Sequence, residues 1–408
     1  MKYIVMLGDG MADYPLEALG GRTPLEAAEK PNIDGLAQYG ELGMVKTVPN
    51  GMKPGSDVAN LAAMGYDPAS CYTGRSPLEA VSIGINMSDT DVAFRCNLVT
   101  LSGEGPYEDK VMADYSAGEI TTAEASELIQ AIAQELSTDE LVFYPGISYR
   151  HCMIWHKGPV GLDLTPPHDI SDRRITQYLP GNEMILDLMC RSFHVLDRHP
   201  VNEARRAKGL NPANSIWLWG EGTRPGVTGF EKAYGVKASV ISAVDLIKGI
   251  GICAGMKVIE VEGATGNLDT NFKGKGQAAL ETLLEGQDLV YIHVEAPDEC
   301  GHHGDVEGKV RAIERIDQDI VGPLLDGLAK AGEEYSILVM PDHPTPLSLK
   351  THIADPVPYL LYRSTDRQAS GINSYTEAAA AGTGRYEEHG CSLMRRLLGI
   401  PLQGCQDV

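Results

Sequence analysis

Several stretches of the chain are continuously apolar, and each stops on glycine or a polar side chain. Residues 3–7, YIVML, end at Gly8-Asp9-Gly10; DLVYIHV ends at Glu295 to Asp298; YSILVM ends at Asp342-His343. Short runs of this kind, bounded by turn residues, predict strands buried on both faces, the pattern of parallel sheets. Amphipathic segments lie between them. Pro24 to Tyr39 reads as helical with a restart at Pro31, and Val310, Ile313, Ile316, Ile320 and Leu324 share one face of a long helix. ASVISA and MKVIEVEG predict strands on either side of the helical VDLIKGIGICAG, and PVPYLLY predicts one more strand after His352. Alternation of this sort predicts an α/β fold with a doubly wound, mostly parallel sheet.

From about residue 88 the pattern has a different character. DVAFRCNLVTL and NSIWLWGEG predict strands, as does the run from Tyr149 to Trp155. TTAEASELIQAIAQEL predicts a helix with a capping box at Thr121 and Glu124 and an apolar face of Ala125, Leu128, Ile129, Ile132 and Leu136. MILDLMCRSFHVL predicts another helix, and the prolines of TPPHDISDRR predict a loop. A stretch with its own strands, helices and amphipathic faces is an inserted domain. The predicted organisation is a core from residues 1–85 and 228–408, with a smaller α/β domain from 86–227 inserted into it.

Composition narrows the classes of function. With 408 residues, 43% of them hydrophobic, the chain can bury one large core or two. A formal net charge of -22 argues against nucleic-acid and anionic-membrane partners. No apolar run is long enough for a membrane span, and the start of the sequence has no signal-peptide pattern, so the expected location is cytoplasmic. The eight cysteines are scattered without C-x-x-C spacing, which predicts core thiols and no disulfide framework. The glycines 249, 251 and 255 end a helix where a dinucleotide loop would open one, and no G-x-x-x-x-G-K-[ST] loop occurs.

Candidate chemistry gathers at the strand ends. In PGSDVANL, Pro54-Gly55 delivers Ser56 to the first turn of a helix, where unpaired N–H groups and the helix dipole favour an alkoxide and attract phosphate. Ser56 is the candidate nucleophile. In a parallel sheet Asp9, Asp298, Asp342 and His343 reach one rim. His302 follows Asp298 by four residues in a glycine-containing loop, and His352 follows His343 by nine. A lone strand-end Asp is usually a helix cap and a lone His a satisfied core residue, but this combination is not one that capping predicts. His303 competes with His302 for the same role. Carboxylates and imidazoles in this ratio suit Mn²⁺, Zn²⁺, Mg²⁺ or Co²⁺, and seven ligands including Ser56 fit two ions better than one. Two divalent cations beside one hydroxyl are suited to phosphoryl transfer.

The chain resembles the cofactor-independent phosphoglycerate mutases of the archaeal-type branch, within the alkaline phosphatase superfamily. The likeness runs from GDGMADYP through PGSDVANL, GRSPLEA, DVAFRCN, TPPHDI and VNEAR to the D-x-x-G-H-type motif, PDH and the final H…PVP. It implies an alkaline-phosphatase-like core with an inserted substrate-binding or lid domain, and interconversion of 3- and 2-phosphoglycerate through a phosphoserine. By resemblance, one ion takes Asp9, Ser56, Asp342 and His343, and the other takes Asp298, His302 and His352, with Mn²⁺ first among the metals. The motif register selects His302 over His303. Lys275 matches a substrate-facing lysine, and Arg75, Arg95, Arg150, His151 and Arg205 are candidate clamps for phosphate and carboxylate. The implied partner is a small phosphorylated metabolite, phosphoglycerate, for a monomer or a homodimer. One segment departs from the pattern: where archaeal-type mutases carry an Arg-rich D-R-R-A-G-R, this chain has Asp114-Tyr115-Ser116-Ala117-Gly118-Glu119. A homoserine kinase-like phosphotransferase, and another phosphatase or phosphomutase of the superfamily, are the alternatives.

Overall fold

In the computed structural model, which describes residues 1–366 and 368–402, the chain divides into two compact units. Residues 1–72 and 226–408 form the first, and 73–225 the second. Residues 73–85, expected in the first unit, therefore belong to the second. The helix Ser76–Ser82 is bound there: Glu79 pairs with Arg95 on the strand Asp91–Ser102, and Ser76 donates to Gly220 O in the strand Ser215–Thr223.

The first unit is built on an eight-stranded sheet. From one edge its strands are Tyr386–Glu387, Glu41–Val45, Val357–Arg363, Tyr335–Met340, Lys2–Gly8, Leu289–Val294, Ala238–Ile241 and Lys257–Val258. Every pair is parallel except the two made by Val357–Arg363, which runs against both neighbours. The run MKVIEVEG contributes only the two-residue edge strand Lys257–Val258. Lys2–Gly8 is central and, like Leu289–Val294 and Tyr335–Met340, buried along most or all of its length, which its unbroken apolar sequence requires. Met6, Ile292, Ile313, Ile320 and Leu324 share one core between the sheet and the long helical stretch 306–331. That stretch contains a π-helical turn, Ile316–Val321, whose buried Asp317 accepts from the N–H groups of Asn32 and Ile33 and so caps the helix Pro31–Ala37.

In the second unit every strand pairing is antiparallel. Asp91–Ser102 pairs with Val111–Asp114, Arg150–His156 and Ser215–Thr223, and Leu141–Tyr144 adds to Arg150–His156. The helices Thr122–Leu136 and Glu183–Leu196 share its core, the first burying Ala125, Leu128, Ile129, Ile132 and Leu136 as its spacing predicts. Only half of the predicted capping box forms. Thr121 Oγ1 accepts from Glu124 N, while the Glu124 carboxylate turns to Arg205 and to the Thr121 hydroxyl.

Cys71, Cys96, Cys152 and Cys300 are buried thiols, and Cys405 lies outside the described residues. Among the described residues no helix is long and apolar enough to cross a membrane.

Candidate active site

Parallel strands put their carboxyl ends on one rim of the sheet, and three such ends deliver Asp9, Asp342-His343 and the segment after Val294. Because Val357–Arg363 runs the opposite way, its start lies at that same rim and brings His352 with it. The stretch EAPDECGHHG, expected as a loop, is the helix Ala296–His303, closed by Gly304 in the left-handed conformation. Spacing of four then sets Asp298 and His302 on one face, with His302 Nε2 3.1 Å from Asp298 Oδ2. Asp305 is the N-cap of the next helix, accepting from Gly308 N. Gly10, with φ of 60°, is obligatory for another reason: a Cβ there would stand 2.8 Å from Asp298 Cα. The glycine lets the Asp9 and Asp298 segments meet.

Ser56 begins the helix Ser56–Ala63, and its Oγ lies 3.4 Å from Asp9 Oδ2 and 3.3 Å from His343 Nε2. His343 Nε2 is also 3.6 Å from Asp9 Oδ1 and 3.5 Å from Asp342 Oδ2. Asp298 Oδ1 is 3.4 Å from His352 Nε2, and the two imidazole nitrogens His302 Nε2 and His352 Nε2 face each other at 2.9 Å. Two sets of ligand atoms converge closely enough to hold a cation: Asp9, Asp342 and His343, and Asp298, His343 and His352. His302 Nε2 adjoins the second set. All seven residues expected as ligands thus come together in the first unit, and His303 Nδ1 points away toward Glu299.

Electrostatics and orphaned atoms test whether this donor set fits divalent cations. Burial, with Asp342 and Asp298 nearby, drives the Asp9 carboxyl well above the usual carboxylate range. Its Oδ1 is buried with no hydrogen-bond partner among the described residues. Burial also opposes the charge of Asp298, but His302 and His352 outweigh it and hold that carboxyl well below its ordinary value. The hydrogen bond to Asp298 raises His302 to about 9, and its Nδ1–H donates to Lys350 O, leaving Nε2 aimed at the other ligands. Crowded carboxylates, an orphaned buried oxygen and two imidazoles meeting nitrogen to nitrogen are what a cation would reconcile. The residues fit.

A supporting layer escaped the sequence reading. Asn60 Nδ2 donates to Asp342 Oδ2, and Gly10 N donates to Asp342 Oδ1. The Thr345 hydroxyl donates to Asp298 Oδ1 and lies 3.3 Å from His343 Nδ1. His293 Nε2 stands 3.0 Å from Asp9 Oδ2, its ring pushed down to about 3 by burial and therefore neutral. Behind these, the buried pair Lys309 and Asp13 joins the segments carrying Asp9 and His343, since Lys309 Nζ also donates to Thr345 O. Polar residues inside otherwise apolar runs were the available signal: a histidine in LVYIHV, an asparagine one turn after Ser56.

The expected substrate residues divide. Lys275 is fully buried, and its Nζ donates to the main-chain oxygen of His293; burial lowers it to about 8 against the pull of Glu295. It therefore braces the strand from within. In the second unit Arg95 and Arg75 share the carboxylate of Glu79, and the Arg95 guanidinium lies 4.5 Å from the Trp219 ring centre. Arg150, opposite Asn97 in the sheet, is exposed. His151, the next residue, points inward as strand alternation requires, accepts from Gly146 N and is pushed down to about 3 by burial. Its Nε2, which then carries the proton, is buried with no hydrogen-bond partner among the described residues. Arg205 is also turned inward, donating to Ala117 O, Asn211 O and Glu124. It holds the 114–119 segment, in which Asp114 accepts from Ser116 N and Gly118 N.

Residues 37–202 match the family model described as 2,3-bisphosphoglycerate-independent phosphoglycerate mutase. A probable 2,3-bisphosphoglycerate-independent phosphoglycerate mutase of Geobacter sulfurreducens is 52% identical over 98% of this chain and 100% of its own. The chain belongs to this mutase family. The Methanosarcina barkeri member is 51% identical over 93% of this chain and 95% of its own. Among solved structures, a Pyrococcus horikoshii protein aligns with a TM-score of 0.82 at 30% identity over 98% of both chains. The cofactor-independent phosphoglycerate mutase of Thermoplasma acidophilum aligns with a TM-score of 0.68 at 25% identity over 98% of this chain and 99% of its own. These likenesses span both units, so the mutase family relationship includes the inserted 73–225 unit as well as the ligand-bearing one.

Proposed function

We propose that the chain interconverts 3-phosphoglycerate and 2-phosphoglycerate, with Ser56 carrying the phosphoryl group between the two hydroxyls. The observation that carries the reading is Ser56 Oγ lying within 3.4 Å of Asp9 and 3.3 Å of His343, at the meeting point of the ligand set. Relatives half identical along nearly the whole chain, and named for this reaction, support it.

Asp9, Ser56, Asp342 and His343 would hold one divalent cation, and Asp298, His302 and His352 the other, Mn²⁺ being first among the metals whose ligand preferences match. When bound, such a pair supplies Lewis-acid charge against a serine oxygen and the oxygens of a transferring phosphoryl group. The helix Ser56–Ala63 presents its first hydroxyl to Asp9 and His343, two of the residues that would hold that charge, and the serine proton faces Asp9 Oδ2. Ser56 Oγ bonds to phosphorus as the bond from phosphorus to the 3-oxygen breaks, and the released oxygen takes a proton. Glycerate turns, its 2-hydroxyl gives up a proton and attacks, and the bond to Ser56 Oγ breaks. Each P–O bond formed replaces one broken, so no outside phosphoryl donor is needed.

Substrate binding is assigned to the second unit, to Arg75, Arg95 and Arg150, where Arg75 and Arg95 share one carboxylate, Glu79, and the charge of Arg150 bears on Arg95. A cytoplasmic location belongs to the same proposal, because both substrates are multiply charged and do not cross a bilayer unaided. The test is turnover of 3-phosphoglycerate with Mn²⁺ and without 2,3-bisphosphoglycerate, beside an assay with homoserine and ATP. The expected result is 2-phosphoglycerate formation that Ser56→Ala eliminates, with quenched wild-type enzyme yielding a phosphopeptide containing Ser56. Full turnover by Ser56→Ala, or phosphorylation of homoserine alone, would overturn the reading.

A further inference from the structure

We propose that His293 is a positioning residue for Asp9, fixing which carboxylate oxygen is spent on the protein and which is presented to a cation. The inference rests on the reading of Asp9 as a metal ligand. His293 sits in the fully buried strand Leu289–Val294, paired in register with Leu7, two residues before Asp9. An imidazole inside an apolar strand is costly unless both ring nitrogens are bonded. Both are. Nε2 lies 3.0 Å from Asp9 Oδ2, and Nδ1 lies 3.2 Å from Ser242 Oγ.

The bonds of Ser242 set the direction of the chain. Its oxygen accepts from Val244 N at 3.0 Å, which leaves its own proton for His293 Nδ1. The imidazole proton then resides on Nε2 and is donated to Asp9 Oδ2. With Oδ2 engaged by His293 and facing Ser56, the orphaned Oδ1 is the oxygen left for the ion. The main chain of His293 is itself held, by Lys275 Nζ at 3.0 Å from its carbonyl oxygen. A valine or isoleucine would pack this strand as well, so the ring's hydrogen bonds are its distinctive contribution.

The experiment titrates chelator-stripped, full-length protein with Mn²⁺, following heat and the Mn²⁺ paramagnetic resonance signal. Wild type, His293→Leu, His293→Gln, Ser242→Ala, Ser242→Ala with His293→Gln, and Asp9→Asn are compared. His293→Leu is expected to weaken one site roughly 10–100-fold. His293→Gln, whose amide nitrogen can replace Nε2 as donor, should recover most of that loss. Ser242→Ala should weaken the site in the wild-type background, where the tautomer depends on it, and add nothing when Gln occupies 293. Wild-type affinity in His293→Leu, equal losses in His293→Leu and His293→Gln, or an additive Ser242→Ala effect would each overturn the proposal. Should His293→Leu not fold, the Gln and Ala variants carry the same comparison. Unchanged affinity in Asp9→Asn would instead remove the ligand reading, and the positioning role with it.

Discussion

The side-chain amide of Asn60 donates to Asp342 Oδ2 at 2.8 Å and, one turn back along its own helix, to the carbonyl of Ser56 at 2.9 Å. One nitrogen thus registers the helix that begins with Ser56 against the end of a sheet strand. Its carbonyl oxygen is also engaged, accepting from the Tyr291 hydroxyl at 2.6 Å.

Replacing Asn60 with the near-isosteric Leu tests this registration. The buried Asp342 oxygen and the Tyr291 hydroxyl would each lose a partner, and an orphaned buried group costs about 1–3 kcal/mol. Asn60→Leu is therefore expected to unfold at lower urea concentration than wild type and to turn over more slowly. Unfolding curves recorded on metal-free protein separate the stability effect from any change in metal binding.

A second prediction concerns the ion pair of Lys309 and Asp13, in which both side chains are fully buried. Lys309 Nζ has a further acceptor, Thr345 O at 2.8 Å, and Asp13 also accepts from Leu347 N, so the pair is satisfied on both sides. Breaking a buried pair leaves an uncompensated charge and costs about 3–5 kcal/mol, whereas replacing both partners with apolar residues is often close to neutral. Lys309→Met should accordingly be far less stable than Lys309→Met combined with Asp13→Leu. Thermal melts of the two variants provide the check, and equal losses would contradict the pairing.

The arginines of the second unit supply a third. Arg205 is buried and donates to two carbonyls and to Glu124, while Arg150 is exposed. Arg205→Ala should lower the melting temperature through the same uncompensated polar groups, Ala117 O and Asn211 O among them. Arg150→Ala should leave the melting temperature unchanged and raise KM for phosphoglycerate, since a solvated guanidinium contributes little to folding. Steady-state kinetics beside thermal melts distinguish the two roles. Similar behaviour of both variants would refute the division.

Strand ends were readable because buried parallel strands need unbroken apolar sequence, so Asp9 and Asp342 stand out where those runs stop. His352 was readable from spacing, whereas spacing left His302 and His303 as alternatives that only the family motif separated; the segment reads as a loop because of its glycines but is helical, and in a helix a separation of four brings Asp298 and His302 together. Direction of side chains was not legible. Arg150 and His151 are neighbours in sequence, and only the strand's alternation decides that one is solvated and the other buried. Arg205 read as a candidate clamp because two of its partners, Ala117 O and Asn211 O, are main-chain oxygens that leave no mark in sequence. Domain limits suffered likewise: Glu79 reads as a surface carboxylate until Arg95 is seen against it.

Proton linkage at His302 yields a prediction for the metal-free protein. Its hydrogen bond to Asp298 raises it to about 9, whereas in an unfolded chain a histidine titrates near ~6.5. The folded state therefore binds the extra proton between those values, and the stabilisation it brings is fully present below pH ~6.5 and is lost as pH rises through about 9. Asp298 behaves oppositely, its depressed value adding stability above the unfolded carboxylate range, near ~3.9, that is lost as pH falls further. Metal-free wild type is thus expected to lose, between pH 6 and pH 10, stability that metal-free His302→Asn does not lose, a comparison in which the opposite contribution of Lys275, lowered to about 8, cancels. A cation at Asp298, His302 and His352 would have to displace the His302 proton, so Mn²⁺ binding at pH 7 should release a proton into the buffer. Calorimetry in two buffers of different ionisation enthalpy measures that release directly. Binding without it, at a pH two units below the His302 value, would mean that His302 is not among the ligands.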